Sequence, residues 1–353
     1  MEEELRAVLA AHGARYPAME PQDGVKLVYQ NEFGGGHLAM DPGRSLERLR
    51  AEHAAAPRDP AAPLAEDIGN GLVRIALGAV DEAEYPLEAL DRDFRRSAAL
   101  RRGGMDAFLR KLEVLRRMAE EGTFGFSAQA LEGYLGPYIR SGCPPASHSQ
   151  GYRRAYRPAY RVALRSVCLP LLVRAAEGLA ARRGRAVVAL DGRCASGKTT
   201  LSARLARERG WSVIHLDHFF LRPEQRTSRR LERPGGNVDH ERFLEEVLLP
   251  LERGEAPVYR PFDCRAQALG EPVAVGPGPV VLVEGSYSCH PALWEHYHLR
   301  AFLTVDPARR MERILAREGE DRARVFRERW IPLEERYFSA FLVEARCDYR
   351  LEL

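Results

Sequence analysis

The stretch RAVVALDGRCASGKTT (185–200) decides the fold of the second half of this 353-residue chain. RAVVAL is a short, β-branched apolar run of the kind that forms a buried strand, and KTTLSARLARER, which starts at residue 198, is rich in helix formers. Between them, two glycines are separated by four residues, and the second is followed by Lys-Thr. Gly192 and Gly197 permit backbone angles that turn successive N–H groups toward an anion, and the helix N-terminus adds its partial positive charge. The spacing therefore predicts a phosphate-binding loop.

Each position of the loop has an expected role. Lys198 should reach the β- and γ-phosphates of a nucleotide, and the Thr199 hydroxyl should ligate Mg²⁺. Lysine is otherwise rare here, since Lys26 and Lys111 are the only others and the remaining basic residues are arginines. We therefore expect ATP and Mg²⁺ as cofactors, held by the residues of the loop and the first helical turn: Gly192, Cys194, Ala195, Ser196, Gly197, Lys198, Thr199 and Thr200.

The pattern of apolar residues differs between the two halves of the chain. Short apolar runs at 185–190, 212–216, 280–283, 301–305 and 348–353 alternate with helical patterns at 198–209, 240–252, 307–318 and 321–345. Strands that alternate with helices predict a five-stranded parallel α/β sheet flanked by helices. Before residue 165 the pattern is mostly helical, without strand-rich alternation. We expect a mainly α domain over 1–165 and an NTP-binding domain over 166–353.

Two carboxylates stand where predicted strands end. Asp217 follows VIHL, and Glu284 closes the apolar run VVLV. The carboxyl edge of an open parallel sheet is where ligands bind. Asp217 is a candidate general base for a hydroxyl that attacks the γ-phosphate, although a helix N-cap or a magnesium ligand are alternatives. Glu284 is a candidate for holding the water shell of Mg²⁺.

An arginine-rich segment, DPARRMERILAREGEDRARVFRERW (306–330), follows the fourth strand. Most of these arginines should form a solvated helix face. Arg313 and Arg317 are candidates for a lid that neutralises a transferring phosphoryl group.

Taken together, DGRCASGKTT, VIHLDHFF, NVDHERF, VYRPFDCR, VVLVEG and the arginine-rich segment resemble the uridine kinase / phosphoribulokinase family of P-loop kinases over residues 185–353. The resemblance implies that Asp217 is the catalytic base and that Asp239 holds ribose hydroxyls, although Asp239 also suits a helix N-cap. Tyr259 fits the base-reading loop of uridine kinases, but the histidine expected in that loop is absent. Arg260 is an alternative contact for a carboxylate or phosphate, or an exposed surface residue.

The first half carries fewer signals. His37, Glu32 and His148 lie in polar, glycine-containing segments, and acid–base, metal-binding or purely structural roles all remain open for them. In residues 152–165, tyrosines and arginines recur every four residues, which on a helix makes adjacent aromatic and cationic stripes. Such a surface would suit RNA or the docking of one domain on the other.

Composition narrows the function classes. The net charge of +3 gives no overall attraction to nucleic acid or membranes, no apolar run approaches the length of a membrane span, and the six scattered cysteines are typical of a reduced, cytoplasmic protein. We expect a kinase that phosphorylates a hydroxyl of a small nucleoside-like or sugar-like molecule. The alternatives are an RNA-end kinase, a non-enzymatic ATP-dependent regulator, and a bifunctional chain whose first domain is a second enzyme.

Overall fold

A computed structural model describes residues 2–36, 41–59, 61–101 and 103–352. The chain divides into two compact units, unit 1 (Met1–Pro170) and unit 2 (Leu171–Leu353). Among the described helices, none combines the length and the apolar character that crossing a membrane requires.

Unit 2 is built on five parallel strands, as the strand–helix alternation predicts. The strands are β4 (Ala186–Gly192), β5 (Ser212–His215), β10 (Val280–Glu284), β11 (Leu299–Thr304) and β12 (Tyr349–Glu352). Across the sheet they lie in the order β5-β10-β4-β11-β12. The four two-residue strands between them are β6 (Val258–Tyr259), β7 (Phe262–Asp263), β8 (Ala268–Leu269) and β9 (Val273–Ala274). These short strands form two antiparallel pairs, β6 with β9 and β7 with β8.

The helices of unit 2 follow the predicted segments closely. They are α8 (Leu169–Arg183, which begins at the boundary between the units), α9 (Lys198–Arg209), α10 (Ser228–Leu231), α11 (His240–Phe243), α12 (Leu249–Glu252), α13 (Pro307–Glu318), α14 (Glu320–Val325), α15 (Ile331–Phe341) and α16 (Val343–Arg346). π-helical turns at Leu244–Leu248 and Phe326–Trp330 join α11 to α12 and α14 to α15.

The central strands of the sheet are buried on both faces. Every residue of β4 and β10 is buried, which explains why these strands read as continuous apolar runs. Because all five strands run the same way, their carboxyl ends meet at one edge, and the loop after β4 lies between β10 and β11 at that edge.

Unit 1 is mainly helical, as expected. Its helices are α1 (Glu2–Arg15), α2 (Pro21–Phe33), α3 (Pro42–Ala55), α4 (Leu87–Leu100), α5 (Met105–Glu120), α6 (Ala128–Arg140) and α7 (Gln150–Tyr156). The apolar stripe predicted for α5 is confirmed, because Phe108, Leu112, Leu115 and Met118 are all buried. Ser127 caps α6 as expected, but α6 continues through Pro137 to Arg140 instead of ending at Gly136.

Two features of unit 1 differ from what the sequence pattern suggested. Unit 1 contains a three-stranded antiparallel sheet of β1 (Ala65–Asp67), β2 (Leu72–Ala76) and β3 (Tyr160–Leu164), strands too short to show a clear alternation in the sequence. Residues 152–165 do not form one helix, because α7 ends at Arg157 in a left-handed conformation (φ 44°) and β3 starts at Tyr160. Tyr152 is buried and Tyr156 and Tyr160 pack against the core of unit 1, so no continuous tyrosine stripe is displayed.

Candidate active site

The predicted phosphate-binding loop joins β4 to α9 in backbone conformations that explain its glycines. Gly192 has φ 140°, and a Cβ atom there would lie 2.1 Å from the Leu303 carbonyl oxygen, so only glycine fits. Gly197 has φ 105°, and Ala195 occupies the left-handed region at φ 57°. A non-glycine residue in this region is strained and is commonly found at binding sites. The Ser196 hydroxyl is buried without a hydrogen-bond partner among the described residues, as suits a donor that faces an anion.

Asp191, the last residue before Gly192, anchors the loop to the sheet. Its carboxylate accepts hydrogen bonds from the backbone N–H groups of Gly192 (2.7 Å), Tyr287 (3.1 Å) and Cys289 (2.8 Å) and from the Tyr337 hydroxyl (2.8 Å). Burial raises the pKa of Asp191 to about 6, against these donors and Lys198, which favour the ionised form. Asp191 therefore ties the loop after β4, the loop after β10 and α15 together. Asp191 follows an apolar run at the end of a strand, just as Glu284 does. The same sequence pattern, a carboxylate that closes an apolar strand, therefore marks Asp191 as a candidate site residue.

Lys198 lies over the loop it belongs to. Its ammonium group donates to the carbonyl oxygens of Gly192 (2.7 Å) and Arg193 (3.0 Å), and the Ser286 hydroxyl lies 3.4 Å away. The side chain is buried, at 8% exposure, while α9 begins at this residue. A cation is thus held beside the helix N-terminus, where phosphate oxygens bind.

Thr199 and Glu284, the two candidate ligands of a magnesium ion, are in contact with each other. The Thr199 hydroxyl donates to Glu284 Oε1 over 3.2 Å, and His215 Nδ1 lies 2.5 Å from the same oxygen. The hydrogen bond to Glu284 is the main reason that the pKa of His215 is raised. A hydroxyl and a carboxylate are oxygen ligands of the type Mg²⁺ prefers, so this pair fits the ion.

Asp217 occupies the carboxyl end of β5, in the turn Leu216–Phe219, and lines the same cavity as Lys198 and Glu284. Its side chain is accessible from the cavity, yet the surrounding protein is dense enough that desolvation raises its pKa. Glu284 raises the pKa further, whereas Lys198 lowers it. A carboxylate that is open to a cavity and has a raised pKa suits a general base.

The cavity has a volume of about 1290 Å³ and lies at the carboxyl edge of the sheet. Single ligand sites usually occupy roughly 300–1,000 Å³, so two ligands fit here. Among the described residues that line it, Asp217, Glu284, Glu328 and Glu334 are outnumbered by cations. These cations are Lys198, Arg204, Arg226, Arg233, Arg313, Arg317, Arg329 and Arg336.

Both predicted lid arginines line this cavity from α13. Arg313 Nη1 donates to the carbonyl oxygens of Ala195 and Ser196, each over 3.2 Å. Arg317 pairs with Glu318 and lies over the Phe326 ring. α13 therefore contacts the phosphate-binding loop directly.

Glu334 on α15 is a site residue that sequence reasoning missed. It is 5% exposed, and its carboxylate accepts hydrogen bonds from the Cys194 backbone N–H (3.0 Å), the Ser286 hydroxyl (2.7 Å) and Arg310 Nη2 (2.5 Å). Arg310 Nη1 also donates to Glu335 over 3.0 Å. The loop, α13 and α15 are thus joined by one buried ion pair. No local signal marks Glu334, because its partners are 24 to 140 residues away.

The three predicted substrate contacts lie outside the described lining of the large cavity. Asp239 is buried and caps α11, which confirms the N-cap interpretation, and it accepts a hydrogen bond from Gln225 over 2.7 Å. The Tyr259 hydroxyl lies 3.0 Å from His218 Nδ1. Arg260 donates to the carbonyl oxygens of Gly270 and Leu269 within its own hairpin.

In unit 1, Glu32 and His148 are buried in separate places. Glu32 pairs with Lys111 over 2.6 Å and accepts from the Gly104 N–H, whereas His148 bonds to Asp23. His37 lies outside the described residues.

Comparison with known proteins gives structural neighbours for about half of the chain. A possible uridine kinase from Bacillus stearothermophilus aligns at 18% identity and a TM-score of 0.38, covering 51% of this chain and 100% of that one. A protein assigned as a fructose transport system kinase from Silicibacter sp. TM1040 aligns at 22% identity and a TM-score of 0.39, covering 51% of this chain and 98% of that one. A shikimate kinase from Bacteroides thetaiotaomicron aligns at 18% identity and a TM-score of 0.24, covering 47% of this chain and 85% of that one. The chain matches no protein-family model.

Proposed function

We propose that unit 2 is a kinase that transfers the terminal phosphoryl group of Mg·ATP to a hydroxyl of a small molecule. The observation that carries this proposal is the convergence of Lys198, the Thr199–Glu284 pair and Asp217 on one cavity at the carboxyl edge of the sheet. A non-enzymatic nucleotide sensor needs the first two groups but not a base for an acceptor hydroxyl. Asp217 therefore favours a kinase.

In this proposal each residue has one task. The loop N–H groups and Lys198 bind the phosphates, and Thr199 with Glu284 would hold Mg²⁺, whose charge offsets that of the phosphate oxygens. Asp217 accepts the proton of the acceptor hydroxyl as its oxygen attacks. Arg313 and Arg317 lie on the same cavity, where guanidinium groups stabilise the charge that spreads over the transferred group.

The charge of the cavity supports an acceptor that itself carries a carboxylate or phosphate. Arg226 is held toward the cavity by a bond to the Leu221 carbonyl and by the Phe262 ring. Arg233 is exposed on the cavity wall, and its side chain has no partner among the described residues. A neutral nucleoside would leave these cations without a counter-charge, whereas a sugar phosphate or a hydroxy acid would pair with them.

A screen for acceptor-dependent ADP release tests the proposal. Nucleosides, sugars, sugar phosphates and hydroxy acids are each supplied with Mg·ATP. Asp217→Asn should lower turnover of the best acceptor by about 10²-fold or more and leave ATP affinity unchanged. The matched control is Asp321→Asn, since Asp321 is fully exposed on α14. Equal turnover in Asp217→Asn and wild type would remove Asp217 from the mechanism.

The charge argument has its own test. Arg233→Ala should raise KM for an anionic acceptor by about tenfold and leave KM for a neutral analogue unchanged. Arg229, exposed in the same segment but not on the described cavity wall, provides the control Arg229→Ala. A preference for neutral acceptors in wild type would overturn the assignment of an anionic acceptor.

A further inference from the structure

Unit 1 has a cavity of its own, with a volume of about 230 Å³. Its walls combine tyrosine rings with charged groups. The tyrosines are Tyr16, Tyr152, Tyr156 and Tyr160, and the charged residues are Arg15, Asp59, Glu66, Arg74 and Arg157. None of these residues takes part in the phosphoryl transfer proposed for unit 2, so their grouping around one cavity calls for another explanation.

Tyr160, on the cavity wall, belongs to a buried chain of hydrogen bonds. Its hydroxyl lies 2.6 Å from His148 Nε2, and His148 Nδ1 lies 2.8 Å from Asp23 Oδ1. Asp23 also accepts from the hydroxyl and the N–H of Ser149. Burial lowers the pKa of His148 to about 4, so the imidazole is neutral at pH 7. Nδ1 then carries the proton that bonds to Asp23, and Nε2 accepts from Tyr160.

Arg74 holds the other side of the same tyrosine. Its Nε and Nη2 both donate to Gln30 Oε1, over 3.0 and 2.7 Å, and this places Gln30 Nε2 3.3 Å from the Tyr160 oxygen. The guanidinium carbon lies 4.6 Å from the centre of the Tyr160 ring. Tyr160 is therefore fixed by a donor, an acceptor and a cation at once.

Arg74 is almost completely buried, at 2% exposure, but it is not saturated. Nη1 lies 3.1 Å from His12 Nε2 and 3.7 Å from Glu66 Oε2. Three of the five N–H groups of a guanidinium are used by Gln30 and His12, which leaves two for another acceptor. Glu66 offsets part of the desolvation cost of this buried cation, and a bound anion would offset more of it.

Arg157 adds a second guanidinium. It is a non-glycine residue in the left-handed region, held there between the end of α7 and Pro158. Its side chain is exposed and makes no hydrogen bond, ion pair or ring contact with the other described residues. Strained backbone that presents an unpaired cation to a cavity is the kind of feature that accompanies a ligand site.

We propose that this cavity binds a small, planar organic carboxylate, with its carboxylate between Arg157 and Arg74 and its flat face against the tyrosine rings. Guanidinium groups match the two oxygens of a carboxylate, and aromatic walls suit a planar group. The volume lies below that of drug-sized sites, so the ligand has about one ring. Glu66 and Asp59 on the wall disfavour a doubly charged phosphate.

Calorimetric titration of the full-length protein tests this site, with Mg·ADP present to occupy the phosphate-binding loop. The probes are benzoate, 4-hydroxybenzoate and inorganic phosphate. At least one of the two carboxylates should bind saturably. Arg157→Ala should weaken that binding about tenfold or more, because a charge-assisted hydrogen bond is lost. Ala62→Leu, which places a larger side chain on the cavity wall, should weaken binding to a similar extent.

The matched control is Arg154→Ala. Arg154 is also exposed on α7 but does not line the cavity, so its removal should change the affinity less than twofold. Thermal unfolding of each variant checks that unit 1 is intact. Absence of saturable carboxylate binding overturns the proposal. So does binding that Arg154→Ala and Arg157→Ala weaken equally, or binding of phosphate alone.

Discussion

The ion pair between Glu334 and Arg310 should contribute more to the stability of unit 2 than any other side-chain pair described at the loop. Both residues are 5% exposed, and Glu334 also accepts from the Cys194 N–H and the Ser286 hydroxyl. Glu334→Ala leaves the Arg310 guanidinium buried with Glu335 as its remaining carboxylate partner. Removing one member of a buried pair costs about 3–5 kcal/mol. Because Glu335 compensates in part, we expect a loss of about 3 kcal/mol.

The chain provides a selective probe for this measurement. All three tryptophans, Trp211, Trp294 and Trp330, lie in unit 2, so tryptophan fluorescence during urea unfolding reports unit 2 alone. Glu335→Ala is the matched control. Glu335 follows Glu334 on the same helix and also pairs with Arg310, but its side chain is 38% exposed. The loss of unfolding free energy in Glu335→Ala should stay at about 1 kcal/mol or below.

A double-mutant cycle separates the pair from its surroundings. Glu334→Ala with Arg310→Ala removes the charge left unpaired by the single change, so the combined loss should be smaller than the sum of the two by at least about 1 kcal/mol. Additive losses, or a Glu334→Ala loss no larger than that of Glu335→Ala, would refute the reasoning.

Three further predictions concern the carboxylates and the histidine of the site. Asp191→Asn should destabilise unit 2 by about 2–4 kcal/mol in the same fluorescence assay, because four donors then face an amide with a single acceptor oxygen; a loss below about 0.5 kcal/mol would contradict this. Glu284 raises the pKa of His215, so its stabilisation is complete below the unfolded pKa of about 6.5 and is lost as pH rises through the higher folded pKa. The difference in unfolding free energy between wild type and His215→Gln should therefore shrink from about pH 6 to about pH 9, and a constant difference would argue against the pairing. In the proposed mechanism Asp217 acts as a base only when ionised. On that proposal kcat/KM should fall as pH drops through its raised pKa, and this acidic limb should be missing from the residual activity of Asp217→Asn.

The sequence was sufficient where a local pattern carries the information. The strand–turn–helix around Gly192 and Gly197, the five parallel strands and the placing of Asp217 and Glu284 at strand ends follow from local patterns. Glycine spacing and short apolar runs depend on residues near each other in the chain. Parallel strands then bring their carboxyl ends to one edge without further information. The same reasoning failed for residues 152–165, where a spacing of four residues suggested a helix, but Arg157 in a left-handed conformation ends α7 and β3 starts at Tyr160.

What surrounds these groups was decided only by the tertiary structure. Distant residues meet in the bonds of Glu334 to the loop, in those of Tyr287, Cys289 and Tyr337 to Asp191, and in the bond between Asp23 and His148. Hydrogen-bond partners at such separations leave no periodic pattern in the sequence. Burial likewise depends on how elements pack. The exposed Asp217 beside the cavity and the buried Asp239, which caps α11, therefore look alike in the sequence. Local spacing determines which residues begin or end an element, whereas long-range packing determines which of their side chains meet.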